Sequence, residues 1–147
     1  MTTQLVTFEI DGATYGVPVG LVQETLGHQP RTFVPLAPPG VAGLVNLRGQ
    51  VVLTLDLRPM LGLEPLAPDA EAMMVVVKVD GEAVSLLVDT VGEVLDVDDA
   101  TYEAVPDTLG AAMRTLVVGV HKLEGRLLLL LDVVAALAVQ PTEERAS

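Results

Sequence analysis

The sequence predicts a mainly β protein in which two homologous small-barrel lobes follow one another, with only short helices between strands. Three observations support this. Segments of the first half recur in the same order in the second half, glycine-containing turns separate short apolar runs, and Val and Leu dominate the apolar residues. Valine favours strands, and closure of a small barrel removes exposed strand edges. A repeat of this length is the first feature to establish, because it decides the architecture.

The internal repeat consists of two aligned pairs of segments. Residues 6–26 align with residues 75–95 at a constant offset of 69, which places Asp11-Gly12 on Asp80-Gly81. Residues 43–61 align with residues 119–137 at an offset of 76. The change of offset indicates a longer connector in the second half, between residues 95 and 119. We therefore expect lobe one at about 3–63, lobe two at about 72–139, and a frayed polar tail over 140–147.

Each aligned segment is predicted to form a β-hairpin, so four hairpins supply about eight strands of ordinary length. Asp-Gly provides the positive φ of a tight hairpin turn, and Arg48-Gly49 and Glu124-Gly125 occupy the same place in the other two hairpins. One further strand per lobe is expected within 31–36 and 100–105. A single helical turn is expected at 58–61, and a short helix over 132–137 with Asp132 as its N-cap.

Composition and charge limit the classes of function. The net charge of −12, from twenty acidic and eight basic residues, disfavours nucleic acid and anionic membrane surfaces as partners. There is no cysteine, hence no disulfide or thiolate site. The apolar tract at 127–139 is shorter than the roughly 20 residues that span a bilayer. No basic and apolar leader begins the sequence, so we expect a cytoplasmic protein without membrane insertion.

Residues 46–58, which read NLRGQVVLTLDLR, resemble the CheW-like domain. That family carries Asn-Leu-Arg-Gly followed by an apolar strand and Asp-Leu-Arg. Other segments agree in order: the opening hairpin at 15–19, Val-x-Glu at 22–24, a Pro-rich loop and glycine at 35–43, and Val-Asp-x-Val at 88–91. The resemblance covers nearly the whole chain. It implies one CheW-like domain over 1–147, built from two five-stranded, SH3-like barrels.

The resemblance also implies a function, that of a non-catalytic chemotaxis adaptor. Family members couple chemoreceptors, the methyl-accepting chemotaxis proteins, to the histidine kinase CheA in cytoplasmic arrays beneath the membrane. They bind the chemoreceptor cytoplasmic tip in a groove between lobes and the CheA regulatory domain lobe against lobe; other CheW-like domains are further candidate partners. Two alternatives stay open: a modulator of a different chemosensory array, such as one for surface motility, and a small-ligand sensor.

The candidate binding residues come from the family motifs, and for most of them the residues alone permit a structural reading as well. Arg48 is either a solvated turn residue or an anchor to a partner, and the resemblance favours the anchor. Glu24 is interpreted as a polar contact beside an apolar receptor-binding patch. Gly43 and Gly49 are predicted to be turn glycines first. Asn46 is a candidate because it belongs to the motif. The remaining candidates are either core residues or groove residues that face a receptor helix: Val19, Val22, Val91 and Val94.

No catalytic, metal or cofactor site is predicted. Asp56 and Asp132 are duplicates, which favours caps or turns over acid–base chemistry. The acidic run at 96–99 lacks the glycine that a calcium loop requires at its sixth position. His28 and His121 lie in unlike parts of the repeat, which disfavours a shared metal site or triad.

Overall fold

The computed structural model describes residues 1–37, 40–67 and 70–138. The described residues form eleven strands and two short α-helices, with 3₁₀ turns at Val19–Leu21, Pro59–Leu61 and Asp99–Thr101. In chain order the elements are β1 (Thr2–Ile10), β2 (Ala13–Pro18), β3 (Val22–Leu26), β4 (Val41–Leu47), β5 (Gln50–Asp56), β6 (Met73–Val79), β7 (Glu82–Val88), β8 (Thr90–Asp98), β9 (Tyr102–Glu103), α1 (Ala111–Leu116), β10 (Val117–Leu123), β11 (Arg126–Leu131) and α2 (Val133–Ala138).

The strands form two sheets, which confirms the predicted mainly β fold with two lobes. One sheet has the order β8-β1-β2-β11-β10-β9, and the other has the order β3-β6-β7-β5-β4. We call them the six-stranded lobe and the five-stranded lobe. Within each lobe, one parallel pair joins an N-terminal hairpin strand to a later strand: β2 with β11 and β5 with β7. The other strand pairs are antiparallel.

The pairing register carries the duplication that the sequence indicates. Tyr15 pairs with Leu129 in the six-stranded lobe, and Val84 pairs with Leu53 at the equivalent place in the five-stranded lobe. Each lobe takes a hairpin from one half of the chain, and the other half supplies four strands to the six-stranded lobe and three strands to the five-stranded lobe. The sheets therefore divide the chain differently from 3–63 and 72–139, and that division stays a prediction about the duplicated sequence.

The Asp-Gly turns have the geometry that their residues predict. Asp11 and Gly12 have φ values of 52° and 83°, and Asp80 and Gly81 have 53° and 84°. Two successive positive φ values define the type I′ turn, whose twist matches that of the flanking strands. The same residue types at both hairpins explain why β1–β2 and β6–β7 adopt one geometry.

The smaller predicted elements are present to different degrees. The segment 31–36 provides only a single bridge, between Thr32 and Leu44, whereas the segment 100–105 contains β9. Asp132 caps α2 as predicted, because its Oδ1 accepts a hydrogen bond from the Ala135 N–H at 3.0 Å. Helix α1 was not predicted and lies in the longer connector. The polar tail at 140–147 lies outside the described residues.

The largest apolar cluster joins the two lobes. It contains buried side chains of both sheets, including the stacked pair Phe8 and Tyr15, with ring centroids 6.0 Å apart, and Leu55 and Leu86 of the five-stranded lobe. Two smaller clusters are each confined to one lobe: Val45, Ala72, Met74 and Leu87 in the five-stranded lobe, and Leu5, Val97 and Leu128 in the six-stranded lobe. The shared cluster makes the lobes one folding unit, because burial of apolar surface is the main stabilising term.

Candidate functional site

Arg48 and Glu24 form a two-point ion pair at one end of the five-stranded lobe. Arg48 Nη1 and Nη2 donate to Glu24 Oε2 and Oε1, both at 2.6 Å. The Arg48 side chain is 73% exposed, whereas that of Glu24 is only 17% exposed. Two parallel N–H···O bonds fix the plane of the guanidinium. Arg48 is therefore held in one orientation while its charged group faces solvent.

The ion pair also joins the two edges of its sheet. Glu24 lies on β3 and Arg48 lies in the turn between β4 and β5, and β3 and β4 are the first and last strands of the five-stranded order. Contact between opposite edge strands requires that the sheet is rolled. The equivalent positions of the six-stranded lobe carry Glu93 and Glu124, two like charges, so this ion pair belongs to one lobe.

Each partner stabilises the charged form of the other. The hydrogen bonds and the positive charge of Arg48 lower the pKa of the Glu24 carboxyl, against a smaller opposing effect of desolvation. The Glu24 carboxylate likewise raises the pKa of Arg48. The pair is thus ionised at neutral pH.

Asn46 and Gly49 build the turn that presents Arg48. The Asn46 Oδ1 accepts a hydrogen bond from the Gly49 N–H at 2.9 Å. Arg48 and Gly49 have φ values of 53° and 84°, the same type of turn as in the Asp-Gly hairpins. A shallow depression of about 200 Å³ adjoins the turn, lined by Glu24, Leu26, Gln29, Asn46, Leu47 and Arg48. Four of the nine predicted residues thus form one surface, which we call the clasp: Glu24, Asn46, Arg48 and Gly49.

Gly43 lies within β4, at a bulge, and not in a turn, so its prediction as a turn glycine is wrong. Its φ is 137°, and a Cβ there would lie 2.5 Å from the Thr32 carbonyl oxygen. Thr32 and Leu44 exchange two backbone hydrogen bonds at 2.8 and 2.9 Å. Glycine is required here because the Thr32 backbone approaches too closely for a side chain.

The four candidate valines divide equally between core and surface. Val22 and Val91 are half-buried and pack against the main cluster. Val19 is 40% exposed and Val94 is 51% exposed. The structure places them on β3, β8 and a 3₁₀ turn, outside the clasp.

A second ion pair was not recognised from the sequence. Arg58 Nη2 donates to Asp89 Oδ1 and Oδ2 at 2.8 and 2.9 Å, and Asp89 Oδ2 also accepts the Asp11 N–H at 2.8 Å. Asp89 raises the pKa of Arg58, against a smaller effect of desolvation. This pair connects the end of β5 to the β7–β8 junction and the β1–β2 turn, so it links both lobes. Arg58 and Asp89 both lie in family motifs, and these motifs were the sequence signal that could have indicated the pair.

The duplicated aspartates act as caps, as predicted. Asp56 is only 4% exposed and accepts the backbone N–H groups of Arg58 at 3.0 Å and Leu66 at 2.8 Å. Within the described ranges, no three side chains of the metal-binding types lie together in a suitable group. No helix in that part of the chain is long and apolar enough to cross a membrane.

Comparison with known proteins gives consistent matches. The family model described as the CheW-like domain matches residues 4–140. The chemotaxis protein CheW of Rhizobium meliloti (strain 1021) is 33% identical over 142 residues, which are 97% of this chain and 90% of that protein. The chemotaxis protein CheW of Bacillus subtilis (strain 168) is 28% identical over 134 residues, covering 91% of this chain and 86% of the relative. The crystal structure of the scaffolding protein TtCheW from Thermoanaerobacter tengcongensis superposes with a TM-score of 0.76 at 25% identity, over 90% of each chain.

Proposed function

This chain belongs to the CheW-like domain family, and we propose that it is a non-catalytic adaptor that couples chemoreceptors to the histidine kinase CheA. Its partners would be the cytoplasmic tip of a chemoreceptor and the regulatory domain of CheA. It would act in the cytoplasm, at arrays of membrane-bound receptors. Family membership over nearly the full length supports the scaffold role in chemotaxis.

The observation that carries the proposal is the clasp. Arg48 is exposed yet held by two hydrogen bonds to a carboxylate that is mostly covered. A side chain ordered before binding loses less conformational entropy when a partner contacts it. Arginine is also enriched among residues that dominate interface energies. We therefore assign Arg48 as a contact residue and Glu24 as the residue that positions it.

Exposed valines would supply the apolar part of such an interface. Val19 and Val94 expose about half of their surface, although valine is usually buried. The family resemblance implies that the receptor tip is a helical coiled coil. A helix binds in a groove through apolar anchors. Val22 and Val91 would support these residues from below, since they pack against the main cluster.

Charge variants of the clasp test the proposal by calorimetry against two purified partners, a CheA regulatory domain and a receptor cytoplasmic fragment. Arg48→Glu should weaken binding to at least one partner by about tenfold or more, because it replaces the contact charge and leaves two carboxylates side by side. Lys122→Glu is the matched control. Lys122 is also exposed and ion-paired, with Glu103, but lies on the six-stranded lobe away from the clasp.

The exchanged double variant, Glu24→Arg with Arg48→Glu, separates contact from stability. It restores an ion pair within the chain but reverses the charge that faces solvent. If Arg48 contacts the partner, the double variant should fold normally and still bind weakly. Full recovery of binding would show that the pair is only structural. Normal binding of both clasp variants would contradict the proposed surface, and absence of wild-type binding to both partners would contradict the coupling role.

A further inference from the structure

The six-stranded lobe contains a cavity of about 310 Å³ that the adaptor function does not use. Leu5 and Leu130 contribute apolar walls, and His121 and Tyr102 line it from β10 and β9. Tyr102 is 44% exposed, so the cavity is reached from solvent at this side. Its volume lies at the lower end of the range of small-molecule sites.

The imidazole of His121 is buried in this cavity, with only 4% of the residue exposed. Its Nδ1 lies 2.9 Å from the hydroxyl oxygen of Thr101, and the Tyr102 ring packs edge-on at a centroid distance of 5.5 Å. The Tyr102 hydroxyl in turn donates to the Val118 carbonyl at 2.9 Å. These contacts fix the plane of the imidazole ring.

The hydrogen bonds also decide which nitrogen of the neutral ring carries the proton. The Thr101 hydroxyl has one hydrogen, and it donates that hydrogen to the Asp98 carbonyl at 2.8 Å. Toward His121 the hydroxyl oxygen then accepts, and this arrangement assigns the proton of the neutral ring to Nδ1. Nε2 is left with an unshared electron pair, which makes it a hydrogen-bond acceptor.

Nε2 has no hydrogen-bond partner among the residues that the structure describes, and it is not fully enclosed by protein. His121 lines the cavity, so a ligand there would lie next to its imidazole. The Asp99 carboxylate, which accepts the Thr3 hydroxyl at 3.0 Å, is a second acceptor in the lining. Two acceptors above an apolar floor favour a ligand that donates a hydrogen bond, and they disfavour an anion.

The repeat shows that this polar arrangement is not required by the fold. His121, Thr3, Leu5 and Pro18 all line the cavity. At the four equivalent positions, the five-stranded lobe has a cluster of buried apolar residues: Val45, Ala72, Met74 and Leu87. The same backbone positions therefore accommodate apolar side chains alone. In the six-stranded lobe these positions instead keep an acceptor nitrogen that is not fully enclosed, beside a cavity, and this difference between the lobes points to a ligand that donates to it.

We propose that the His121 cavity is a binding site for a small uncharged molecule with an apolar ring and one hydrogen-bond donor, which donates to His121 Nε2. The site lies in the six-stranded lobe, and its test does not depend on the adaptor function. Val45 indicates the informative variant: His121→Val installs the side chain that already occupies the equivalent buried position.

The test uses two probes of nearly equal shape, phenol and toluene, and benzoate as the anionic probe. Protein labelled with ¹⁵N-histidine is titrated with each probe by NMR at mildly alkaline pH. We expect phenol to shift the His121 Nε2 signal and the methyl signals of Leu5 and Leu130. Toluene should bind about three- to tenfold more weakly, the difference that one neutral hydrogen bond makes. Benzoate should bind much more weakly than phenol.

Two variants and one measurement on the wild type make the result decisive. His121→Val should bind phenol no better than toluene, whereas His28→Val, at an exposed histidine elsewhere, should bind like the wild type. In the unliganded wild type, the ¹⁵N signals should report a protonated Nδ1 and an unprotonated Nε2, whether or not the variant folds. A protonated Nε2, equal affinity for phenol and toluene, or phenol shifts away from His121 would overturn the proposal.

Discussion

The ion pair of Arg58 and Asp89 provides the sharpest stability prediction, because it links both lobes and is largely covered. The two side chains are 18% and 33% exposed. Asp89→Ala removes two guanidinium contacts and the acceptor of the Asp11 N–H, and it leaves the Arg58 charge without its partner. An exposed pair contributes about 0–1 kcal/mol and breaking a buried one costs about 3–5 kcal/mol, so we expect a loss of about 2–3 kcal/mol.

Replacement of the arginine should cost less than replacement of the aspartate. Arg58 Nε is buried without a hydrogen-bond partner, so Arg58→Met removes an unfavourable group together with the ion pair. Methionine also keeps most of the aliphatic stem. We expect Arg58→Met to cost about 1 kcal/mol, and the double variant to reveal a coupling energy of about 1–2 kcal/mol.

Urea denaturation of the four proteins of this double-mutant cycle measures the coupling. A second cycle on Lys122 and Glu103, which are 64% and 50% exposed at 3.0 Å, is the control and should give no more than about 0.5 kcal/mol. Asp89→Ala should also lower the Tm by about 5–10 °C for a chain of this length. Equal coupling energies in the two cycles, or a larger cost for Arg58→Met than for Asp89→Ala, would refute the reasoning.

Three further predictions follow from single contacts. Gly119→Ala should lose about 1–3 kcal/mol of unfolding free energy in urea, because a Cβ there would clash with the Tyr102 ring. The same substitution in a Tyr102→Ala background, which lacks that ring, should lose much less. Asp56→Ala should lose about 2–4 kcal/mol by the same measurement, since it leaves two part-buried backbone N–H groups without their acceptor; a cost below 1 kcal/mol would contradict its role as a cap. NMR titration should place the pKa of Glu24 below its ordinary value, and Arg48→Gln should move that pKa back up. The stability that the Glu24 carboxylate contributes is therefore present above the ordinary pKa and is lost as the pH falls through the folded-state pKa.

The order of local elements was predictable because it depends on neighbouring residues. Asp-Gly turns, the repeat and the Asp132 cap are each encoded within a few positions, and all three are present in the structure. The motif containing Arg48 likewise indicated a candidate surface. The sequence predicts a strand within 31–36, whereas the structure has only the bridge between Thr32 and Leu44. An apolar pattern does not show how closely a second backbone approaches, as the Thr32 backbone approaches Gly43.

The contacts between distant residues were not predictable in the same way. Glu24 and Arg48 are 24 residues apart, and Arg58 and Asp89 are 31 residues apart, and no local pattern joins either pair.

The sequence by itself determined the strand content, the turns, the duplication and the family. The tertiary structure decided which half supplies each strand of a lobe. The two halves carry nearly the same apolar pattern, so each hairpin has two similar sets of strands with which to pair. Register and hydrophobicity are almost equal for both choices, and the choice therefore depends on how side chains fill the shared core. The exchange of hairpins between halves, the clasp across two sheet edges and the His121 cavity all follow from that packing.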